Sequence, residues 1–234
     1  MTSVIAGLLV VGVLAYFILS KAPKDIDPTI TSFPSDVAVP STSDESGGFT
    51  FFKNEVTATA PTDVPVFDLY LDFMCSYCGQ FDALNSDWLI EKANAGEIAY
   101  RVHPVAILGA QQSLEFGAIF ASLLETNPAA AVEFSKRGFE AQQGGLTDQQ
   151  IRDLLKEQNV SDADIETALS GKYEDFIKSA SQITLNDESL LNEEGRFGTP
   201  ALFLNDKTWK VDWTNREAME KELNEAPSFA EATK

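Results

Sequence analysis

Cysteine is nearly absent from this chain: two stand among 234 residues, beside one histidine and three methionines. A framework of several disulfides is thereby excluded. A structural zinc centre, which takes about four Cys, His or carboxylate ligands, finds little to hold it, since only His103 could join the two thiols. Basic charge is scarce as well. Seventeen Lys and Arg face 36 Asp and Glu, for a formal net charge of -19. Nucleic acid, whose phosphates such a surface repels, is excluded as a partner, and broad contact with anionic lipid is disfavoured. The acidic surface reads first as a device for solubility, and it could also steer basic or unfolded substrates. With 44% hydrophobic residues the chain can bury a sizeable core, so one globular unit is expected.

The two cysteines that are present stand together, as Cys75-Ser76-Tyr77-Cys78, where a largely apolar run from Val64 to Met74 meets a helical pattern. Cysteines at i and i+3 on a first helical turn bring their sulfurs within bridging reach, beside backbone N–H groups that have no helical partner. A thiolate is stabilised there, and in such motifs its pKa falls from about 8.5 to roughly 3.5–7.5. Cys75 is therefore the candidate reactive thiol, facing solvent, and Cys78, one turn deeper, the candidate resolving thiol. A purely structural bridge would close so short a loop that it removes little chain entropy. Ser76 and Tyr77, between the sulfurs, are candidates for tuning their redox poise.

The second signal is N-terminal. Val4 to Leu19 carries no charge and is close to the length that crosses a bilayer. Residues 1–20 are read as a single transmembrane anchor. A cleaved signal peptide is the rival, because Ser20-Lys21-Ala22 loosely fits a small-x-small site, although no basic residue precedes the run. Lys21 and Lys24 after the run would by charge alone keep the domain cytoplasmic. Asp25 and Asp27 dilute them, long domains translocate regardless of nearby charge, and a Cys-x-x-Cys protein has its clearest use in an oxidising compartment. A single-pass protein with its domain on the extracytoplasmic side of the cell membrane is expected.

Residues 21–48 hold Pro23, Pro28, Pro34 and Pro40 among Ser, Thr, Asp and Gly without sustained periodicity, which reads as a flexible linker. A globular domain over 49–228 and a short tail, 229–234, are expected to follow. Phe49, Phe51 and Phe52 begin a first strand, and Val64–Leu71 reads as a buried central strand. Phe81, Leu84, Trp88 and Leu89 recur at helical spacing, and Glu97–Val102 supplies the next strand, which makes a parallel strand-helix-strand unit. A helical stretch of about 109–190 follows, with helix starts at Thr147 with Gln150 and at Ser161 with Asp164. Ala201–Leu204, a turn at Asn205-Asp206-Lys207 and Thr208–Val211 form a hairpin, and Thr214 with Glu217 opens a last helix.

Gly198-Thr199-Pro200 sits just before that hairpin, where a proline costs no ladder bond and where a cis Thr199-Pro200 bond would fix a sharp loop. Taken in order, Asp72-Phe73-Met74-Cys75-Ser76-Tyr77-Cys78, a helical insertion, Gly198-Thr199-Pro200 and a strand resemble the DsbA-like thiol:disulfide oxidoreductases of the thioredoxin superfamily, over most of the chain from Phe49 on. The resemblance implies an α/β thioredoxin-like fold with a helical insertion. It implies Cys75 as the nucleophile, Cys78 as its partner, Pro200 as the cis-proline facing the pair, and Thr199 as a backbone partner for an extended substrate. The redox disulfide would be the only cofactor, with no metal, and a membrane redox partner would recycle it. Ser76 and Leu69 depart from the residues many relatives carry at these places.

The reading is an enzyme, expected to be a monomer, that introduces or exchanges disulfides in unfolded or exported proteins. A disulfide reductase or isomerase and a redox-inert, chaperone-like peptide binder are the alternatives. Asp68, Asp72 and His103 are read as structural groups.

Overall fold

The Val66–Phe67-Asp68-Leu69-Tyr70-Leu71 run is buried at every position, as a strand flanked on both edges and covered on both faces must be. It is β3 of the computed structural model, which describes residues 27–234. The other strands are β1 (Phe49–Phe52), β2 (Glu55–Thr57), β4 (Ala99–Pro104), β5 (Ala201–Leu204) and β6 (Lys207–Thr208). They form one sheet in the order β2-β1-β4-β3-β5-β6. Only β3 and β4 run parallel, because only they are joined by a helical crossover; the remaining pairs are antiparallel.

That crossover is α1 (Ser76–Ala95), which starts directly behind Met74 and ends at Gly96, whose φ of 75° suits a residue without Cβ. Phe67, Leu69 and Leu71 face α1, with Phe67 packed on Phe81. Asp68 and Tyr70, on the alternate positions, face the other way. Between β4 and β5 lie α2 (Gln111–Thr126), α3 (Pro128–Glu140), α4 (Asp148–Glu157), α5 (Asp162–Leu169) and α6 (Glu174–Asn186), then a 3-10 turn at Glu188–Leu190. Helix α3 packs beside α1. The insertion is keyed to the sheet by Phe73, fully buried, which stacks on Phe139 at 4.9 Å and meets Phe116 and Phe120 edge-on. The chain closes with α7 (Arg216–Glu225) and α8 (Phe229–Ala232).

Several expectations are corrected. Residues 27–48 were expected to be a flexible linker, yet they are strapped onto the domain. Phe33 stacks on Phe176 at 5.0 Å, Asn186 donates to the carbonyls of Asp27 and Ile30, and Glu125 accepts from the Ser41 amide and hydroxyl at 2.8 Å. Strand β2 was not foreseen; it follows β1 through Lys53 and Asn54, both at positive φ, as a two-residue hairpin turn requires. The strand expected at Glu97 begins at Ala99, because the Glu97 N–H is still bonded to Lys92 O at the end of α1. Lys207 belongs to β6 rather than to the turn, since Asn205 and Asp206 alone take the left-handed conformation. Helix α7 is capped by Asn215, whose Oδ1 accepts from Ala218 N, and the Thr214 hydroxyl bonds Asp212 instead. Leu84 lies exposed on α1, and the residues expected as a tail form α8, tied to Val64 and Thr62 by backbone bonds.

The expected anchor, residues 1–20, and residues 21–26 lie outside the described residues. Among the described residues no helix is long and apolar enough to cross a membrane.

Candidate active site

The turn from β3 into α1 is built on Asp72. Its carboxylate is fully buried and occupied: Oδ1 accepts from Met74 N at 2.8 Å and Ser113 Oγ at 2.6 Å, and Oδ2 from Leu108 N at 3.0 Å. Burial pushes its pKa up, against these donors. Asp72 thus ties the dithiol turn to the loop after β4 and to the first turn of α2.

Cys75 is the N-cap of α1. Its Sγ accepts from the Cys78 amide at 3.4 Å and, as a thiol, donates to the Thr199 carbonyl oxygen at 3.1 Å. Both cysteines are free thiols in this structure. Cys75 was expected to face solvent; Thr199 roofs it, leaving it 7% exposed, against 2% for Cys78. The two thiols are driven apart electrostatically. A hydrogen bond from Cys78 first, then contacts with Thr199 and the Cys78 and Tyr77 amides, overcome burial and bring Cys75 down to about 6. Burial, followed by the hydrogen bond and charge of Cys75, pushes Cys78 far above the ordinary thiol value. One sulfur is thereby kept as thiolate at neutral pH while the other holds the proton, which is the arrangement dithiol–disulfide exchange requires.

Thr199 and Pro200 reach the site from the start of β5, joined by a cis peptide bond. The structure therefore brings together the four residues Cys75, Cys78, Thr199 and Pro200 from distant parts of the sequence. The Thr199 hydroxyl is buried without a hydrogen-bond partner and is placed to donate to either sulfur. Ser76 and Tyr77 lie exposed on the rim, Tyr77 at 61%. Gln142, after α3, donates through Nε2 to the carbonyls of Phe73 and Cys75, a contact that no sequence signal announces. Asp82, one helical turn beyond Cys78, is also buried; burial pushes its carboxyl up to about 6 against hydrogen bonds from Ser86 and Ser135. Its place on the apolar face of α1, next to Phe81, is the one trace it leaves in the sequence.

Asp68 and His103 are not part of this site. They face away from α1, where His103 Nε2 lies 2.9 Å from Asp68 Oδ1 and Arg101 Nε bonds the same oxygen. Among the described residues no group of His, Cys, Asp and Glu is arranged to hold a metal ion.

A mixed sheet with a crossover helix capped by a dithiol, a cis-proline opposite it and a helical insertion define the thioredoxin-fold class. A family model described as Thioredoxin matches residues 59–225, most of the chain, and the chain belongs to that family. Its structure is similar to MdbA, a thiol-disulfide oxidoreductase from Actinomyces oris, with a TM-score of 0.60 and 19% identity over 79% of this chain and 87% of that one. It is similar to the MdbA of Corynebacterium matruchotii, at TM-score 0.59 and 18% identity over 68% and 83% of the two chains. Reduced DsbA from Mycobacterium tuberculosis matches at TM-score 0.58 and 17% identity, over 80% and 96%. At these identities the likeness carries the fold. No curated protein matches the chain by sequence.

Proposed function

We propose that this protein is a thiol:disulfide oxidoreductase working through Cys75 and Cys78, tethered by residues 1–20 to the cell membrane with its domain on the extracytoplasmic side, and acting on unfolded or exported proteins. The observation that carries the chemistry is the divided pair: a thiol at the N-cap of α1 lowered to about 6 beside a buried partner pushed upward. In the oxidising direction a substrate thiolate attacks Cys75 Sγ of the bridged pair. The Cys75–Cys78 bond breaks, Cys78 leaves with the electron pair and takes up a proton, and a mixed disulfide joins substrate to Cys75. A second substrate thiolate then attacks the first substrate sulfur and releases Cys75 as thiolate. Two electrons pass to the enzyme and the substrate gains a disulfide. A low leaving-group pKa speeds that release, so the Cys75 environment favours donation of the disulfide. A membrane redox partner restores the bridge. The uncharged Val4–Leu19 run supports the anchor, and the use of a dithiol in an oxidising compartment supports the orientation.

The test is the equilibrium potential of Cys75–Cys78 against glutathione, read by thiol trapping. A value of about -120 to -180 mV supports a disulfide donor; one near about -270 mV supports a reductase instead. A chain that does not cycle, and that keeps its biological activity when both cysteines are changed to alanine, is a peptide binder and not an enzyme.

A further inference from the structure

The helical insertion meets the dithiol turn through an amide as well as through the Phe73 aromatic cluster. Gln142 lies just past the end of α3, and its Nε2 donates to Phe73 O at 2.9 Å and to Cys75 O at 2.8 Å. Both hydrogens of one amide are thus spent on two carbonyls of the same turn, on either side of Met74. Cys75 O also accepts the first helical bond from Gly79 N, at 3.2 Å. Ordering a glutamine side chain costs rotamer entropy, and the two well-formed bonds at this one place offset that cost.

The chemistry of the turn gives those bonds a consequence. A carbonyl oxygen carries partial negative charge, and two of them stand within the turn that holds the Cys75 sulfur. Donors on these oxygens offset that charge. They also hold the 73–74 and 75–76 peptide planes, on either side of the Cys75 Cα, at the start of the helical turn whose Tyr77 and Cys78 amides are turned to the sulfur. The loop itself is anchored by the Phe139–Phe73 stack at 4.9 Å, and Gly79 of α1 lies against Phe139 and Gln142. The titratable groups around the turn are Asp72 beneath it and, lining one cleft with Gln142 beside Ser76, Asp82 and Asp87 on α1 and Lys136 and Glu140 on α3. None of them bonds either carbonyl, so Gln142 is the side chain that offsets their charge.

We propose that Gln142 is a positioning residue of the dithiol site: by donating to the Phe73 and Cys75 carbonyls it holds the turn in the shape that stabilises the Cys75 thiolate, and so couples the helical insertion to the redox poise of the pair. This rests on the reading of Cys75 as the reactive thiol. A shift of the insertion relative to α1 would pull on Gln142 and change the chemistry without touching either sulfur.

The experiment compares the full chain with Gln142→Met, which keeps the length and loses both donors. Reduced protein is alkylated across pH 4–10, and the glutathione equilibrium is measured at pH 7. The alkylation rate of Cys75 at pH 5, proportional to its thiolate fraction, is expected to fall by about three- to tenfold, and the glutathione equilibrium to move toward the protein disulfide by about threefold. Phe139→Leu separates positioning from packing: it weakens the same loop without removing either bond, and is expected to lower thermal stability while leaving the alkylation midpoint in place. Gln142→Ala replaces Gln142→Met if the latter does not fold. A wild-type midpoint near 6 that Gln142→Met leaves unmoved overturns the proposal alone. A wild-type midpoint near the ordinary thiol value of 9.0 overturns the reading of Cys75 together with it.

Discussion

Two clusters of ionisable groups lie along β3, one on the strand and one just past its end, and they differ in kind. Past the strand's C-terminal end, at the start of α1, the Cys75–Cys78 pair is electrostatically divided, one thiol lowered and the other raised. In the middle of the strand Asp68 meets Arg101 and His103, and there the groups reinforce one another. Burial works against the Asp68 carboxylate, but the hydrogen bond from His103 and the Arg101 charge outweigh it and hold it below the usual range. Burial likewise opposes the Arg101 charge, and Asp68 raises it. Asp44, from the N-terminal strap, adds a second carboxylate 3.4 Å from Arg101. Where the Asp68 carboxylate and the Arg101 guanidinium each hold the other in its charged form, the ion pair has no proton to exchange and is held in one state. A pair pushed in opposite directions is poised to change state, and that is the mark of a reacting site. Burial alone does not separate the two.

The largest effect that sharpens this contrast is on stability. Asp68→Ala removes the charge-assisted bonds of the half-buried Arg101 guanidinium and of the buried His103, and a loss of about 3–5 kcal/mol in urea unfolding is expected. The Cys75–Cys78 potential of the folded fraction is expected to stay unchanged; a shifted potential would break the separation of the clusters. The pH dependence has a definite sign. Because Asp68 is held below its unfolded value of 3.8, its contribution is present above that pH and is lost as the pH falls through the lower folded value.

A smaller effect is expected at Gly48, where the strap crosses the charge cluster. A Cβ there would lie 2.6 Å from His103 Cε1 and 2.9 Å from Asp44 Oδ2, so Gly48→Ala must displace the strap. A loss of about 1–3 kcal/mol is expected in the same unfolding experiment, again without a change in potential.

The smallest structural change falls at the dithiol. Thr199→Val removes a buried hydroxyl that has no partner in the reduced site, so unfolding should move by less than about 1 kcal/mol. Alkylation of Cys75 is nevertheless expected to need a higher pH, because the hydroxyl placed to turn toward the sulfur once the thiolate forms is gone. A variant that loses stability but keeps its alkylation profile would assign Thr199 to packing.

What was legible in the sequence was what is local. Cys75-Ser76-Tyr77-Cys78 and Thr199-Pro200 carry their chemistry in adjacent residues, and β3 announces itself by an unbroken apolar run. Leu69 at its centre truly leaves no carboxylate beneath the pair on this strand; the buried carboxylates, Asp72 and Asp82, come from the turn and from α1. The strap was misread because its order comes from distant partners. Proline, serine and aspartate gave no periodicity, while Phe176, Glu125 and Asn186, which hold it, lie far along the chain. Asp44 illustrates the same point: its Oδ1 accepts from the Ser46 and Gly48 amides, forming a compact loop whose outer face meets Arg101. Strand β2 escaped because three residues are too few for an alternation to show. Gln142 escaped because a glutamine reaching two carbonyls leaves no pattern in its neighbours.

The most direct test of the account is the pH dependence of alkylation in the reduced full chain, with the labelled residue identified by peptide mapping. A single midpoint near pH 6, all label on Cys75 and none on Cys78 until far higher pH, is the predicted result. Equal labelling of both cysteines with a midpoint near 9.0 would contradict the divided pair, and with it the enzyme proposed here.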